Sequence, residues 1–327
     1  MDNMDIYFEE KYGESTEFID EGKTEVFEFE SADGKISNMF LLREIDSKLV
    51  DGYFDIITPY GYGGPIIKSL TGDKEALIMD YGKSFENYCK QKNIVSEFVR
   101  FHPIIANHKD FEGLYDTVFL RKTVATVLKG KEDPFQEEFS KSCRKTVRKV
   151  LSEDLTYEII EKPENLDSFI KIYYDTMDRN EAGDFYYFER EYFQFLLDNL
   201  RENILNINIY FEDKCIASGL YFIYNKYIHA HLSGTDHEYL KFSPAYYLKY
   251  LTTTWGKEHG YDYVHYGGGT TNDPEDPLFK FKSKFTKEGF FDFYIGKKIH
   301  NDEVYNKLVE ESGNKQNDSA FFPLYRA

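Results

Sequence analysis

Apolar and polar positions alternate or recur with helical spacing along this chain, and the elements they predict follow one order twice. In the first half, residues 25–45 predict a hairpin around Asp33-Gly34, because an Asp-Gly pair between alternating apolar residues is a strong hairpin signal. A third strand that ends in the glycine-rich segment YGYGGP, a helix over about 73–91 and a further strand follow.

The second half repeats the order of strands, helix and strand. Residues 205–234 predict three strands, Ser243-Pro244 begins a helix that runs to about His259, and the strand YDYVHYGGG ends in three glycines. We therefore expect an α/β (α+β) protein of two domains with mixed, mainly antiparallel sheets flanked by helices. The expected domains are residues 1–155 and 156–299.

The segment DPLFKFKSKFTKEG, residues 276–289, predicts a helix of about three turns. Asp276 and Pro277 are typical of an N-cap and a first helical residue, and Gly289 is typical of a left-handed closing residue. Four lysines in this segment stand out in a chain as acidic as this one, and we expect most of them to face water.

Helical spacing separates Lys282 from the other three lysines. At about 100° per residue, Lys282 falls about 40° from Leu278, on the apolar face of the predicted helix. That face also carries Phe281 and Phe285, and the opposite face carries Lys280, Lys284 and Lys287. A lysine whose stem lies along apolar surface, or one in a structural ion pair, would explain the position; so would a lysine that points into a cleft.

Composition and charge narrow the class of protein. Of 327 residues, 41% are hydrophobic and 18% aromatic, which favours a packed core over disorder. The formal net charge of −18 disfavours general coating of nucleic acid but leaves room for a local basic patch. Cys89, Cys143 and Cys215 are odd in number and lack CxxC spacing, which indicates reduced thiols in a cytosolic protein.

No apolar run approaches the ~20 residues of a membrane span, and the acidic N-terminus is unlike a signal peptide. We expect a cytoplasmic protein, and any link to the cell envelope must be through a substrate or a contact at the inner face of the membrane.

A basic segment over 137–152 departs from the acidic balance of the chain. Its helical spacing separates an apolar face from a face that carries Lys141, Arg144, Lys145, Arg148 and Lys149. A solvated helix face explains this enrichment. The alternative is a site for the phosphates of a nucleotide, a lipid carrier or RNA.

Other candidate residues carry weaker signals. His229 and His231 alternate on a strand and so share a face, and without a third ligand at a metal-like spacing they favour buried histidines over a zinc site. Arg179 lies in a predicted loop among tyrosines that include Tyr186, a setting that suits recognition of a carboxylate or phosphate. Cys143 has no base near it in the pattern, so a nucleophilic cysteine is disfavoured.

The three glycines after Tyr266 match no phosphate-binding pattern, since no GxGxxG begins a helix and no GK[ST] follows. A turn explains them. The alternative is a strand end left without side chains at Gly267 and Gly268 so that a ligand can approach the backbone.

Four segments resemble the Fem-type (FemAB- and FemX-like) aminoacyltransferases, a family within the GNAT-like acyltransferases. They are TPYGYGGP (58–65), KSCRKTVRKV (141–150), YYDTMDRNEAGDFYYFEREYFQFL (173–196) and the segment 263–300. Together they span most of the chain in the family's order. The last is the most specific, because an FKxxF element between a glycine-rich strand end and a final strand recurs in the family.

The resemblance implies two GNAT-like domains, with a C-terminal tail of about 300–327 packing back on the first. It implies no permanently bound cofactor, an aminoacyl-tRNA donor or, as in other relatives, acyl-CoA, and a primary amine on a cell-wall precursor as acceptor. It places the catalytic FK pair at Phe281 and Lys282 and the acceptor-binding arginine at Arg179. The expected substrate-binding residues are Arg179, Arg144, Lys145, Arg148, Tyr186, Gly267 and Gly268.

Two departures from the relatives bear on the donor. The long coiled-coil arm of some Fem proteins is absent, which removes one RNA-contacting element. The GNAT pyrophosphate signature is absent too, since DHEYLKFSPAYY (236–247) has no glycine before the predicted helix, and this disfavours conventional acyl-CoA binding.

The sequence therefore predicts an enzyme that moves an aminoacyl or acyl group from an activated donor to an amine of a cell-wall or surface-glycan precursor. The alternatives are an acyl-CoA-dependent N-acetyltransferase acting on an amino sugar and a non-catalytic module that binds a phosphorylated carrier. For Lys282 we expect a cation that stabilises an oxyanion or holds a carrier phosphate. A base requires a cation-rich neighbourhood, whereas the sequence neighbours are phenylalanines; desolvation alone still leaves the base open.

Overall fold

The structure, a computed structural model, describes residues 4–179, 183, 187–314 and 321–327. The chain divides into two compact units. The first contains Tyr7–Leu120 and Asp292–Ala327, and the second contains Arg121–Phe291 together with residues 4–6.

The first unit is a mixed sheet with helices packed on it. Its elements are α1 (Glu10–Thr16), β1 (Lys23–Ser31), β2 (Gly34–Glu44), β3 (Phe54–Ile57), β4 (Ile66–Leu70), α2 (Lys74–Gln91), β5 (Ile94–Arg100), α3 (His108–Phe111), β12 (Phe290–Ile299) and α10 (Asp302–Ser312). The strand order is β1-β2-β3-β5-β12, with β4 paired to β2. Strands β3 and β5 are parallel, and the pairs β1–β2, β2–β3 and β5–β12 are antiparallel.

Local sequence signals explain the predicted elements of this unit. The Asp33-Gly34 turn lets Ser31 pair with Gly34 across the β1–β2 hairpin. The Asp73 carboxylate accepts a hydrogen bond from the Ala76 backbone N–H at 2.8 Å and caps α2. Helix α2 then packs an aromatic core against the sheet, formed by residues such as Tyr81, Phe85, Phe40 and Phe101. From the C-terminal end, Val304, Tyr305, Leu308 and Leu324 pack with Ile45 and Val95.

The second unit is also a mixed sheet with helices packed on it. Its elements are β6 (Asp116–Val127), α4 (Pro134–Glu138), α5 (Lys141–Val150), β7 (Leu155–Glu161), α6 (Asp167–Arg179), α7 (Arg190–Asn199), β8 (Ile204–Phe211), β9 (Lys214–Tyr224), β10 (Tyr227–Thr235), α8 (Pro244–Glu258), β11 (Tyr263–Gly267) and α9 (Pro277–Lys282). The strand order is β6-β11-β10-β9-β8-β7.

Strands β10 and β11 are parallel and are joined by α8, whereas β8 and β9 pair antiparallel with their neighbours. The first unit uses the same device, in which α2 joins the parallel strands β3 and β5. A parallel pair requires a crossover connection, and a helix supplies it in each unit. The expected α/β class with mixed, mainly antiparallel sheets is confirmed.

The division between the units falls at Leu120 and Arg121 and again after Phe291, whereas the sequence placed the domain boundaries at 155 and 299. The segment between 121 and 151 packs with the later strands. Val124, Phe139 and Val147 share one buried cluster with Leu205 and Ile207, which explains where the division falls.

Two predicted helices differ in extent from the observed ones. The basic segment forms two helices, because Phe139 is extended and Ser140 begins α5 by accepting a hydrogen bond from the Cys143 N–H at 3.3 Å. The predicted helix 276–289 ends at Lys282 and continues only as a 3-10 turn to Phe285. Thr286 is extended, and its hydroxyl donates to the Glu138 carboxylate at 2.6 Å.

The prediction for Gly289 was therefore wrong. It does not end a helix, and its φ is not positive. A glycine is required there because a Cβ would collide with the backbone carbonyl of Ala125.

Candidate functional site

Lys282 and the glycine-rich end of β11 lie against each other. The Lys282 Nζ donates a hydrogen bond to the Gly268 carbonyl at 2.6 Å. Gly267 has φ +73°, and the register between β11 and β6 shifts between His265 and Gly267, so the strand bends away from its partner at this point. An ammonium has three N–H donors, and this contact uses one of them.

Asp276 fixes the loop that connects the strand end to α9. One carboxylate oxygen caps α9 by accepting from the Phe279 N–H at 2.8 Å. The other accepts from the Thr270 hydroxyl at 2.5 Å and from the Thr271 N–H at 3.0 Å. These donors, above all the Thr270 hydroxyl, hold the pKa of Asp276 well below its usual range.

Arg121 of β6 borders the same loop. Its Nη1 donates to the Gly269 carbonyl at 2.8 Å, and a Cβ built on Gly268 would lie 2.9 Å from the Arg121 Cδ. The Arg121 Nε is buried and has no hydrogen-bond partner among the described residues. A guanidinium therefore reaches the glycine-rich strand end from the side of β6.

Lys249 of α8 is a second buried amine at this end of the sheet. Only 9% of its surface is exposed, and its Nζ lies 4.5 Å from the centroid of the Tyr266 ring, the residue before Gly267. Within the part of the chain that the structure describes, its Nζ forms no hydrogen bond or ion pair, and its polar contact is the face of that ring.

Burial, assisted by repulsion from a nearby cation, lowers the pKa of each of the two lysines. Burial lowers the pKa of Lys282 to about 8, opposed by the nearby Asp276 carboxylate and assisted by Arg121. Burial, with repulsion from Lys282 as a smaller cause, lowers the pKa of Lys249 to about 7. The sequence-based expectation that the neighbours of Lys282 are phenylalanines alone is therefore incomplete, since Arg121 lowers the pKa of Lys282 and Lys282 in turn lowers that of Lys249.

The four lysines of the segment 276–289 differ in exposure and in their partners. Lys280 and Lys287 are exposed as expected, and Lys280 pairs with Glu275. Lys284 is half-buried and donates to the Tyr246 hydroxyl at 3.2 Å, which differs from the solvated face predicted for it. Lys282 is half-buried against the strand end.

Phe281 packs into the core of the second unit beside Lys282. Its ring contacts Tyr246 at 5.3 Å and Phe285 at 5.2 Å between centroids, both nearly perpendicular. We infer that Phe281 positions the short helix α9 and with it Lys282, whereas direct contact of Phe281 with a reacting group stays a prediction.

The basic helix α5 uses two of its predicted ligand-binding residues for internal contacts. Arg144 donates to the Phe139 carbonyl at 2.5 Å and to the Gln136 carbonyl at 2.9 Å. Arg148 donates to the Gln136 side chain at 2.9 Å. Lys145 is exposed. The Ser140 N–H at the start of α5 donates to the Lys284 carbonyl at 2.8 Å, so this end of the helix adjoins the turn after Lys282.

Arg179 lies in the last turn of α6 rather than in a loop. It is exposed, and its Nη1 donates to the Thr235 carbonyl at the end of β10 at 2.6 Å. Tyr186 lies outside the described residues. Contact of Arg179, Arg144, Lys145 or Arg148 with a substrate stays a prediction.

The two histidines of β10 bind different partners. His229 contacts the Asp5 carboxylate at 2.7 Å and His265 Nδ1 at 3.3 Å, and His231 contacts the Tyr192 hydroxyl at 2.6 Å. The register of β10 shifts between Ala230 and Leu232, so the simple alternation that predicted a shared face is interrupted. Burial lowers the pKa of His231 to about 3, which keeps that ring neutral.

Burial leaves Cys143 an inert thiol, as the sequence indicated. It is buried in the core of the second unit, and burial raises the pKa of its thiol to about 12.

Sequence reasoning missed Lys249 and Arg121. Lys249 shares a helical stripe with Thr252, Thr253 and Gly256, all of them buried. Helical spacing over 244–258 is therefore the signal that places Lys249 on a buried face, as it places Lys282 on the apolar face of its segment. Arg121 gave no such signal, because it lies in a strand of mixed exposure.

The second unit matches a known acyltransferase family. Residues 137–282 match the family model described as an acetyltransferase (GNAT) domain. Lys249, Gly268 and Lys282 lie within the matched range. No curated protein sequence matches the chain.

Solved structures extend the likeness across both units. A crystal structure of FemX superposes with a TM-score of 0.69 at 14% identity, over 93% of this chain and 94% of that one. The C-terminal domain of a putative lysylphosphatidylglycerol synthetase from Agrobacterium fabrum gives 0.56 at 15% identity, over 89% of each chain. L-PGS from Bacillus licheniformis gives 0.53 at 15% identity, over 90% of this chain and 93% of that one. At such identities the likeness establishes the fold.

None of the helices in the described part of the chain is both long and apolar enough to cross a membrane.

Proposed function

We propose that this protein transfers an aminoacyl group from charged tRNA to a primary amine of a cell-wall or surface-glycan precursor. The observation that carries the proposal is the Lys282 ammonium held at the glycine-rich end of β11, inside the range that matches a GNAT acetyltransferase domain. The likeness in fold to FemX and to lysylphosphatidylglycerol synthetase supports aminoacyl transfer over other acyl transfers.

For this reaction the protein must position the two substrates and stabilise the charge of the intermediate. The amine nitrogen attacks the carbonyl carbon of the donor ester, a C–N bond forms, and the tetrahedral intermediate carries an oxyanion. The ester C–O bond then breaks, and the leaving hydroxyl takes up a proton. The donor is already activated, so no protein nucleophile is needed. Lys282 keeps two N–H donors beyond its bond to Gly268, and they supply the charge for the oxyanion.

The segment before α8 favours aminoacyl-tRNA over acyl-CoA as donor. GNAT enzymes that use acyl-CoA hold its pyrophosphate on a glycine-rich turn before this helix. Here His237–Phe242 form a 3-10 helix, and the left-handed position at the start of α8 is occupied by Ser243 rather than glycine. The side chains of this segment restrict the approach of a pyrophosphate to the backbone N–H groups.

The positive charges at the site suggest the kind of acceptor, and the acceptor suggests where the reaction takes place. A wall precursor presents an amine together with phosphate or carboxylate groups, and Arg121 and Lys282 offer the complementary charge. We propose that the protein acts in the cytoplasm or at the inner face of the membrane, where such precursors are made, and binds no permanent cofactor.

A transfer assay with two donors tests the proposal. Purified protein is given a nucleotide-linked wall peptide with a free amine and either labelled aminoacyl-tRNA or labelled acetyl-CoA. We expect label in the acceptor from the tRNA donor. Transfer from acetyl-CoA alone would replace the proposed donor by the alternative acyl-CoA reaction, and binding without transfer from either would indicate a non-catalytic module.

Substitution of Lys282 tests the site itself. Lys282→Met removes the charge and keeps most of the volume, and we expect turnover to fall by about 10²–10³, as for a lost oxyanion donor. Lys280→Met, two residues earlier on the exposed side of α9, is the matched control and should leave turnover unchanged. Equal effects of the two substitutions would contradict a special place for Lys282.

A further inference from the structure

Lys249 is an amine that the transfer chemistry above does not use. It projects from the middle of α8, is nine-tenths buried, and its Nζ lies 4.5 Å from the centre of the Tyr266 ring. A buried ammonium that lacks a carboxylate or carbonyl partner is costly, and the described residues provide Lys249 with neither. Methionine or leucine would fill the same place on a buried helix face without that cost, so the amine itself requires an explanation.

We propose that Lys249 is the base of the transfer reaction and that its neutral amine takes the proton which the acceptor ammonium must lose before it can attack. This inference rests on the proposed function, because it presumes an amine acceptor beside Lys282. It assigns different tasks to two neighbouring lysines, a charged one that faces the oxyanion and a neutral one that accepts a proton.

The surroundings of Lys282 favour its charged form, and those of Lys249 favour its neutral form. Lys282 has the Gly268 carbonyl at 2.6 Å and is attracted by the Asp276 carboxylate, and both favour its charged form. The groups that face Lys249 are the Tyr266 ring and the Lys282 ammonium, and the repulsion from Lys282 favours the neutral form. When two titratable groups in one site are pushed apart in this way, the acid and base assignments follow from their environments.

The pKa values of the two amines agree with the assignment. The pKa of Lys249 is lowered to about 7 and that of Lys282 to about 8, so between these values Lys249 is mostly neutral while Lys282 is mostly charged. A base whose pKa lies near the working pH combines the correct protonation state with a useful driving force. An unperturbed lysine, near 10.5, would be protonated at neutral pH and could not act as a base.

Protons balance over the cycle. Lys249 takes one proton from the acceptor ammonium, and the free amine adds to the donor carbonyl. After the C–N bond has formed, the attacking nitrogen sheds its second proton to solvent as the amide is made. Lys249 passes its own proton to the leaving oxygen as the donor ester bond breaks, and the neutral base is restored.

The pH dependence of kcat/KM tests the assignment. In the unaltered protein we expect kcat/KM to rise tenfold per pH unit up to about 7, where Lys249 loses its proton, and to fall above about 8, where Lys282 loses its charge. Lys249→Met should lower kcat/KM by about 10²–10⁴ and abolish the rise below pH 7. Lys257→Met, in the last turn of the same helix, is the matched control and should keep the unaltered profile.

Lys249→Arg separates a base from an anion-binding cation. Arginine keeps the charge and cannot give up its proton, so it should be as defective as methionine if Lys249 is a base. An active Lys249→Arg protein would overturn the proposal and indicate a site for a phosphate or carboxylate. Full activity of Lys249→Met would contradict the role of Lys249 as a base and leave the proposed function intact. Absence of transfer from every donor in the unaltered protein would contradict the proposed function and the role of Lys249 together.

A titration that needs no turnover settles the case in which the variants do not fold. Reductive methylation with ¹³C-formaldehyde labels the lysine amines, and the shift of the Lys249 methyl signal with pH gives its pKa directly. We expect a midpoint near 7. A midpoint near 10 would leave Lys249 charged throughout the working range and would overturn the proposal.

Discussion

Each of the two buried lysines carries a cost in stability whose sign follows from its proton binding. Lys249 keeps its proton to about pH 7 in the folded protein, and an unfolded lysine keeps it to about 10.5. Between those values the unfolded chain binds more protons than the folded one. The free energy of unfolding therefore rises with pH through this window, and the cost of burying Lys249 is greatest at and below pH 7.

Lys249→Met should for this reason stabilise the protein. We expect its advantage over the unaltered protein to be largest near pH 6.5 and to shrink by about 1.4 kcal/mol per pH unit up to about pH 9. Urea unfolding at the two pH values measures the difference, with Lys257→Met as the control that should show no such change. A stabilisation of the same size at pH 6.5 and pH 9 would mean that folding does not lower the pKa of Lys249 and that its side chain only packs poorly.

At the level of single residues, the sequence predicted what one helical wheel could contain. Lys282 stood out because its neighbours along a short segment were phenylalanines. Its cationic neighbours come from elements more than 30 residues away along the chain, Lys249 from α8 and Arg121 from β6, and no local pattern places them together. The local pattern therefore identified an unusual lysine but only part of its environment, and a catalytic role for Lys282 stays a prediction.

At the level of elements, strand ends and caps were predictable, whereas helix lengths were less so. The hairpin at Asp33-Gly34, helix α2 after Asp73 and helix α8 after Ser243-Pro244 have strong local signals, and all three are present. The segment 276–289 has apolar helical spacing throughout, yet its α-helix ends at Lys282, a 3-10 turn follows to Phe285, and Thr286 is extended. There the hydrogen bond from Thr286 to Glu138, a residue about 150 positions earlier, outweighs the local preference.

Substitution of Gly289 tests how closely the end of this segment packs against Ala125 of β6. Gly289→Ala should lower the melting temperature by several degrees, because the new Cβ would meet the Ala125 carbonyl, a backbone group that cannot rotate away. Gly113→Ala, where a Cβ would meet nothing within 4 Å, is the control and should leave the melting temperature almost unchanged. Equal melting temperatures for the two variants would show that β6 has room to move at Ala125.

At the scale of the whole molecule, net charge limits where the proposed tRNA donor, a polyanion, could bind. The chain carries a net charge of −18, so attraction must come from a local surface, and the exposed cations of α5 form one. Lys145 and Arg148 are exposed there, and the α5 N-terminus adjoins the turn after Lys282.

Lys145→Gln combined with Arg148→Gln should weaken tRNA binding and reduce the slope of log affinity against log salt by about 1.5–2, if each side chain contacts a phosphate. The matched control is the pair Lys83→Gln and Lys90→Gln on α2, exposed cations of the first unit. An unchanged slope in the α5 variant would identify a solvated helix face, as the sequence allowed.

Architecture was the most predictable property of the whole chain, because the order of strands, helix and strand can be read twice from local patterns. In each unit a helix joins two parallel strands within a sheet of mainly antiparallel pairs. Where the units divide was not predictable in this way. The segment 121–151 joins the second unit through a core of residues such as Val124 and Phe139, whose partners lie far along the sequence.

The contact between Asp5 and His229 has a consequence for the time course of synthesis. Asp5 belongs to the second unit, and its buried partner is synthesised 224 residues after it. The second unit cannot bury that carboxylate against a histidine until most of the chain has emerged. The N-terminal segment must stay uncommitted while the intervening residues, which include most of the first unit, are made and begin to fold.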